Sequence, residues 1–122
     1  VARKAFSDAR VPAARARFIT GRASDVLPRM NEASYDIVFI DADPEGVIEY
    51  VEHGLRLVRA GGTVLIPRVL AHGAVADPVR RDAVTTAYRS LIQEVQSSPA
   101  VIGALSTTGE GLLQLTTRPP EA

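Results

Sequence analysis

Tyr35-Asp36-Ile37-Val38-Phe39-Ile40-Asp41-Ala42-Asp43-Pro44 is the stretch on which the fold turns. Tyr35–Ile40 ends in four consecutive apolar residues, rich in β-branched and aromatic side chains. An unalternating run of this kind suits a strand covered on both faces, as in a parallel sheet. Asp41 and Asp43 stand at its carboxyl end, ahead of Pro44. In open α/β sheets ligands bind beyond the carboxyl ends of the strands, so the chemistry is expected there. The two aspartates can equally serve as caps for the helix that follows.

Working outward, Val47, Val51, Leu55 and Val58 recur at helical spacing and predict a helix over 45–58. Gly61-Gly62 supply residues able to take positive φ at its end, and Thr63–Ile66 is the next buried strand. Ala71–Ala76 reads as a loop, and Asp77-Pro78 as the start of a helix, a capping residue followed by proline. Val84, Tyr88, Leu91 and Val95 form that helix's inner face, and Ser98-Pro99 stops it. Val101–Ser106 and Leu112–Thr117 are two strands joined through a glycine-containing connection, the pattern of an antiparallel hairpin. Upstream, residues 2–10 carry a helical face ending before Pro12. Arg17–Thr20 reads as a short strand stopped by Gly21, and Ser24 or Asp25 as the cap of a brief helix bearing Val26, Leu27 and Met30. The alternation predicts an α/β fold, a mostly parallel sheet between helices with an antiparallel C-terminal hairpin.

Composition bounds the function. The 122 residues carry 14 basic and 14 acidic side chains, which argues against a polyanion-binding surface and hence against nucleic acid. The sequence has no cysteine, so neither a disulfide framework nor a thiolate metal site is available. No apolar run approaches the roughly 18 residues of a membrane span. No apolar signal core follows Val1-Ala2-Arg3-Lys4, and the expectation is one soluble cytoplasmic domain over 1–118, with 119–122 as a tail.

The run Gly21-Arg22-Ala23-Ser24-Asp25-Val26-Leu27-Pro28, followed by Tyr35–Asp43, resembles the small-molecule O-methyltransferases of the catechol and caffeoyl-CoA type. Leu55–Thr63 and Val75-Ala76-Asp77-Pro78 continue the likeness, and Gly109-Glu110-Gly111-Leu112 is similar to that family's terminal hairpin. The resemblance covers the chain from the first helix to about Thr117 and lies in order and spacing. It implies a Rossmann-like methyltransferase fold and S-adenosylmethionine as cofactor. Arg22, Ala23 and Ser24 would lie on the adenine side, with Asp41 and Ala42 toward the cofactor's methionine end. Asp43 and Arg68 would face a small-molecule acceptor. The resemblance also implies a homodimer.

The sequence departs from that family where its catalytic apparatus belongs. The position after the second aspartate, typically a lysine, is Pro44. The strand end that typically completes a metal site with Asp-Asn reads Pro67-Arg68. Magnesium needs near-octahedral oxygen ligands, whereas proline offers no side-chain donor and arginine is a permanent cation. No catalytic metal is therefore expected. Arg68 could sit in the cation's place and pair with Asp41 or Asp43, or point to solvent. His72 is the imidazole placed to act as general base. His53 reads as a solvated helical residue, and Tyr50 and Tyr88 as packing.

A second departure concerns the cofactor cradle. No glycine-rich turn precedes the first helix, and the family's strand order of 3-2-1-4-5-7-6 would leave its strands 1 and 2 absent. One edge of the Tyr35–Ile40 strand would then stand unpaired. Three resolutions are open: the sequence belongs to a longer protein, the Arg17–Thr20 strand re-pairs directly with the Tyr35–Ile40 strand, or another chain supplies the missing strands. The competing function is a non-catalytic relative that binds cofactor or dimerises. A phosphoacceptor receiver domain lacks its acidic pair here, and a nucleotide-dependent dehydrogenase lacks its glycine fingerprint.

Overall fold

The structure, a computed structural model, describes residues 2–12, 19 and 22–118. Helix α1 spans Ala2–Asp8 and α2 spans Ala23–Val26, followed by a tight turn over Leu27–Arg29. Strand β1 is Tyr35–Phe39, α3 is Val47–Leu57 and β2 is Val58–Pro67. Helix α4, Ala83–Ser97, leads into the hairpin of β3, Val101–Ser106, and β4, Leu112–Thr117. The expected strand over Arg17–Thr20 lies, apart from Ile19, outside the described residues, as do Gly21 and the tail 119–122.

The sheet order is β1-β2-β4-β3. β1 and β2 run parallel, and β4 is antiparallel to both β2 and β3. The hairpin folds back so that its second strand enters the sheet and its first takes the edge. The helices α3 and α4 cover one face. Val47 and Val51 from α3 and Tyr88 and Leu91 from α4 are buried against Val64, Ile66, Leu113 and Leu115 of the sheet. Each such side chain contributes about 1.5–3 kcal/mol of transfer free energy, and this cluster holds the strand ends in place.

Five sequence expectations need correction. The helix expected over 45–58 is a tight turn at Pro44–Gly46 followed by α3, and Val58 already has extended backbone as the first residue of β2. Gly61 does take positive φ, +77°, but within β2 rather than at the helix end. It turns the chain where the pairing jumps from Tyr35–Val58 to Ile37–Thr63. The helix start placed at Asp77-Pro78 lies five residues further on. Asp77 Oδ1 instead accepts from the Val79 N–H in a local turn, and Asp82 caps α4 by accepting from the Thr85 N–H. At α2 the cap position is Arg22, without a side-chain bond, and Ser24 and Asp25 sit within the helix.

The fifth correction bears on function. Among the described residues, the strand expected to be covered on both faces is covered on one. Val38 packs toward the core, while Ile37 is 62% exposed and Phe39 58%. Both helices lie on the same side of the sheet, so alternate residues of β1 face outward. Among the described residues β1 has a single strand partner, β2, and its other edge is open.

Candidate functional site

The parallel register brings Asp41 and Arg68 together. Phe39 pairs with Leu65, and the Ile40 N–H still bonds the Leu65 carbonyl at 2.9 Å. The residues leaving β1 and β2 therefore emerge side by side at the carboxyl edge. Asp41 Oδ1 and Arg68 Nη2 form an ion pair there, the pairing that the sequence left open against a solvent-facing arginine. Both side chains are about half exposed, 45% and 55%, so the pair contributes about 0–1 kcal/mol to stability. Its place at the mouth of the sheet carries the interest.

Arg68 is held there by its backbone. Its φ is +61°, the left-handed region that non-glycine residues rarely adopt. Its N–H donates to the Gly111 carbonyl at 2.7 Å, so the β3–β4 connection pins the residue after β2. Strain of about 1–3 kcal/mol persists at such positions only where neighbouring structure enforces it.

Asp43 has a different partner. The Tyr50 hydroxyl donates to its Oδ1 at 2.6 Å. That bond, with burial second and the carboxylate's charge third, pushes the phenol's pKa above its usual 10.0. Gly46, one helical turn before Tyr50, makes room: a Cβ at that position would lie 2.8 Å from the ring's Cζ. The sequence reading took Tyr50 for packing and missed this contact. Its signal was present in the spacing, with Asp43 two helical turns and Gly46 one turn ahead of the tyrosine.

Two clefts flank the Asp41–Arg68 pair. The first, about 190 Å³, is lined by Ala23, Leu27, Phe39, Asp41, Ala42 and Tyr50 among others. Of the residues singled out on the cofactor side, it gathers Ala23, Asp41 and Ala42. Arg22 is near enough for its charge to act on the Tyr50 phenol. Ser24 is exposed on α2 and does not line this cleft. The second cleft, about 210 Å³, is lined by Pro44, Arg68, Arg80, Thr85, Tyr88 and Glu110 among others. Burial pushes the Tyr88 phenol up from 10.0, and the charge of Arg68 draws it partly back. His72 belongs to the tight turn Ala71–Ala76, and its side chain lies outside the described residues.

As a donor set for a hard cation this edge is poor. Asp41 is engaged by a guanidinium, Asp43 by a phenol, and no group of three His, Cys, Asp or Glu side chains converges among the described residues. An oxygen-ligated ion needs several such donors. The first cleft combines flat apolar walls with one carboxylate, which suits a ligand carrying an aromatic base at one end and a cationic group at the other.

A family model described as O-methyltransferase matches residues 1–118. The chain belongs to that family. It is 42% identical over 113 residues to a Mycobacterium tuberculosis protein named "Probable O-methyltransferase", covering 93% of this chain and 50% of that one. Among solved structures, it is similar to a Corynebacterium glutamicum protein at 29% identity and a TM-score of 0.91, covering 98% of this chain and 56% of the other. The O-methyltransferase TomG of Streptomyces achromogenes, solved in complex with SAM, matches at 29% identity and a TM-score of 0.81 over 95% of this chain and 55% of its own. An O-methyltransferase of Bacillus cereus in complex with SAH matches at 26% and 0.85, over 96% and 56%. The chain spans about half the length of the relatives it matches. The fold is thus the Rossmann-like methyltransferase architecture, with the hairpin order anticipated for its C-terminal strands.

Proposed function

We propose that this chain is the C-terminal part of an S-adenosylmethionine-dependent O-methyltransferase that acts on a small molecule without a divalent metal. The observation that carries the reading is the Asp41–Arg68 pair at the carboxyl edge of the parallel strands, between two clefts. Family membership and the SAM- and SAH-bound relatives support the cofactor. The arginine beside Asp41 supports the absence of a metal.

On this reading Ala23, Leu27 and Phe39 offer apolar contact to the adenine, with Arg22 and Ser24 beside them on α2. Asp41 and Ala42 meet the cofactor's cationic end. When bound, the cofactor supplies an electrophilic methyl group. Arg68 and Asp43 belong to the acceptor side, and Asp43 accepts a hydrogen bond from the Tyr50 hydroxyl. Fixing donor and acceptor in line supplies several kcal/mol of the barrier without a metal. His72 is the candidate for taking the acceptor's proton.

The reading carries further expectations of a cytoplasmic protein that forms a homodimer and engages neither nucleic acid nor membrane. Among the described residues no helix is long and apolar enough to cross a bilayer. Fractionation and size-exclusion chromatography check the location and the assembly. The function itself is tested by methyl transfer from S-adenosylmethionine to a panel of hydroxyl acceptors, with and without a chelator, using the whole encoded protein. Turnover that survives chelation is expected. Cofactor binding without turnover would favour a non-catalytic relative, and turnover abolished by chelation would refute the metal-free reading.

A further inference from the structure

We infer that Arg56 is a positioning residue for the cofactor: from α3 it holds the wall of the first cleft against which the adenosine half is proposed to lie. The inference rests on the proposed cofactor site and deepens it by naming a residue, outside the cleft, on which affinity depends.

The wall needs a tie. Ala23 and Leu27 line the cleft from α2 and the turn after it, yet neither of those two elements has a buried side chain. Helix α2 is four residues long and has no side-chain bond at its N-cap, Arg22. A helix of one turn does not persist by itself, because nucleation costs more than its few hydrogen bonds return. The Asp25 and Val26 N–H groups donate to the Arg22 carbonyl, and the Met30 N–H to the Leu27 carbonyl. These bonds are internal to the segment and shape it without fastening it to the rest of the fold.

Arg56 supplies the fastening. It stands in the last turn of α3, the helix whose Tyr50 and Gly54 line the same cleft. Its Nη2 donates to the Leu27 carbonyl at 2.6 Å and its Nη1 to the Met30 carbonyl at 3.2 Å. Leu27 is the C-cap of α2, and Met30 is the C-cap of the turn over Leu27–Arg29. One planar fork therefore caps two successive turns at their carboxyl ends, where unpaired carbonyls favour a cation. Arg56 is half-buried, which shields these charge-assisted bonds from water in part. Its approach to exposed Glu32, at 3.6 Å, is too long for a hydrogen bond and is open to screening. Arg56 does not line the cleft itself; it acts through Leu27. With the tie cut, the wall is in place in fewer molecules, and apparent affinity falls in proportion to that fraction. Asp41 follows β1 and is held by the sheet, so the loss belongs to the adenosine half alone.

The test is calorimetric titration of S-adenosylhomocysteine, and separately of adenosine, into the whole encoded protein. Arg56→Ala should weaken both by the same factor, about tenfold, as when about a tenth of the molecules keep the wall in place. Arg56→Lys keeps the charge without the fork and should lose about threefold. It carries the test if circular dichroism shows Arg56→Ala to be unfolded. Glu32→Gln should bind as the natural protein does. Hydrogen exchange without ligand adds a local readout. The Asp25, Val26 and Met30 amides should exchange faster in both Arg56 variants than in the natural protein, and the Val64 and Leu115 amides of the sheet at an unchanged rate. Equal affinities in the natural protein and Arg56→Ala, a loss for S-adenosylhomocysteine without one for adenosine, no adenosine binding to the natural protein, or unchanged exchange at the three amides each overturns the inference. A natural protein that binds neither ligand refutes the proposed cofactor site as well, whereas failure in the variants alone leaves that site standing.

Discussion

At the scale of single residues, the contact between Tyr50 and Asp43 shows how one missing side chain places two others. Gly46 leaves space for the Tyr50 ring, and the ring's hydroxyl then reaches the carboxylate. Tyr50→Phe should cost about 1 kcal/mol, the net value of a hydrogen bond whose acceptor can rehydrate, measured by urea denaturation. The pH dependence follows from the same bond. A phenol whose pKa is raised on folding contributes stability that is complete below the unfolded value near 10.0 and declines as pH climbs through the higher folded value. Tyr88 acts in the same direction through burial. Stability should therefore fall in alkali above about pH 10, less steeply in Tyr50→Phe. An unchanged alkaline limb in that variant would contradict the assignment.

At the scale of elements, the strands and helices were mostly legible and their junctions were not. β3 and β4 lie where the Val101–Ser106 and Leu112–Thr117 patterns put them, because the glycine-bearing connection fixes a hairpin locally. The inner face of α4 was equally plain from Tyr88 and Leu91. Its start was not. Asp77-Pro78 and Asp82 are both capable of beginning a helix, and the choice was made by tertiary contact: the Arg89 guanidinium bonds the Asp77 carbonyl and holds 74–77 against the helix side. Helix capping at Asp82 holds its carboxyl below the usual 3.8, chiefly through the Thr85 N–H and hydroxyl. The stability it brings is present above that value and lost as pH falls through the lower folded one. Asp82→Asn should flatten the acid limb of a thermal denaturation series. The turn at Gly111 makes a further prediction. Its φ is +93°, and a Cβ there would lie 2.6 Å from Leu70 Cγ. Gly111→Ala should cost about 1–3 kcal/mol and weaken any function that depends on Arg68, whose N–H it anchors.

At the scale of the molecule, the open face of the sheet is the feature that local pattern misread. Ile37 to Ile40 are apolar without alternation, and such a run means cover on both sides. The described residues supply cover on one, so Ile37 and Phe39 stand in water. Pattern records what a strand is suited to, and the elements packed on it decide what it receives. Exposed apolar surface beside an open strand edge favours association. The 122-residue chain alone should scatter light or bind a hydrophobic dye, and the Ile37→Lys/Phe39→Lys double variant should do so less. Its folding stability should change by about 0.5 kcal/mol or less per site, as expected for exposed positions. Equal association in both proteins would place the sticky surface elsewhere.

The site was legible in part for a related reason. Residues at strand ends, such as Asp41, Ala42 and Arg68, could be located because parallel strands bring their carboxyl ends to one edge. Ser24, singled out together with its neighbours in sequence, is exposed on α2. Under the proposed function the carboxylate of Asp41 serves a cationic cofactor, while an arginine stands where an ion would otherwise be held. Calorimetric titration of S-adenosylhomocysteine into the whole encoded protein tests it most directly. Asp41→Asn should weaken binding about tenfold, roughly 1.4 kcal/mol, and magnesium should leave both affinities unchanged. An Asp41→Asn protein that binds as tightly as the natural one, or binding that requires magnesium, would contradict it.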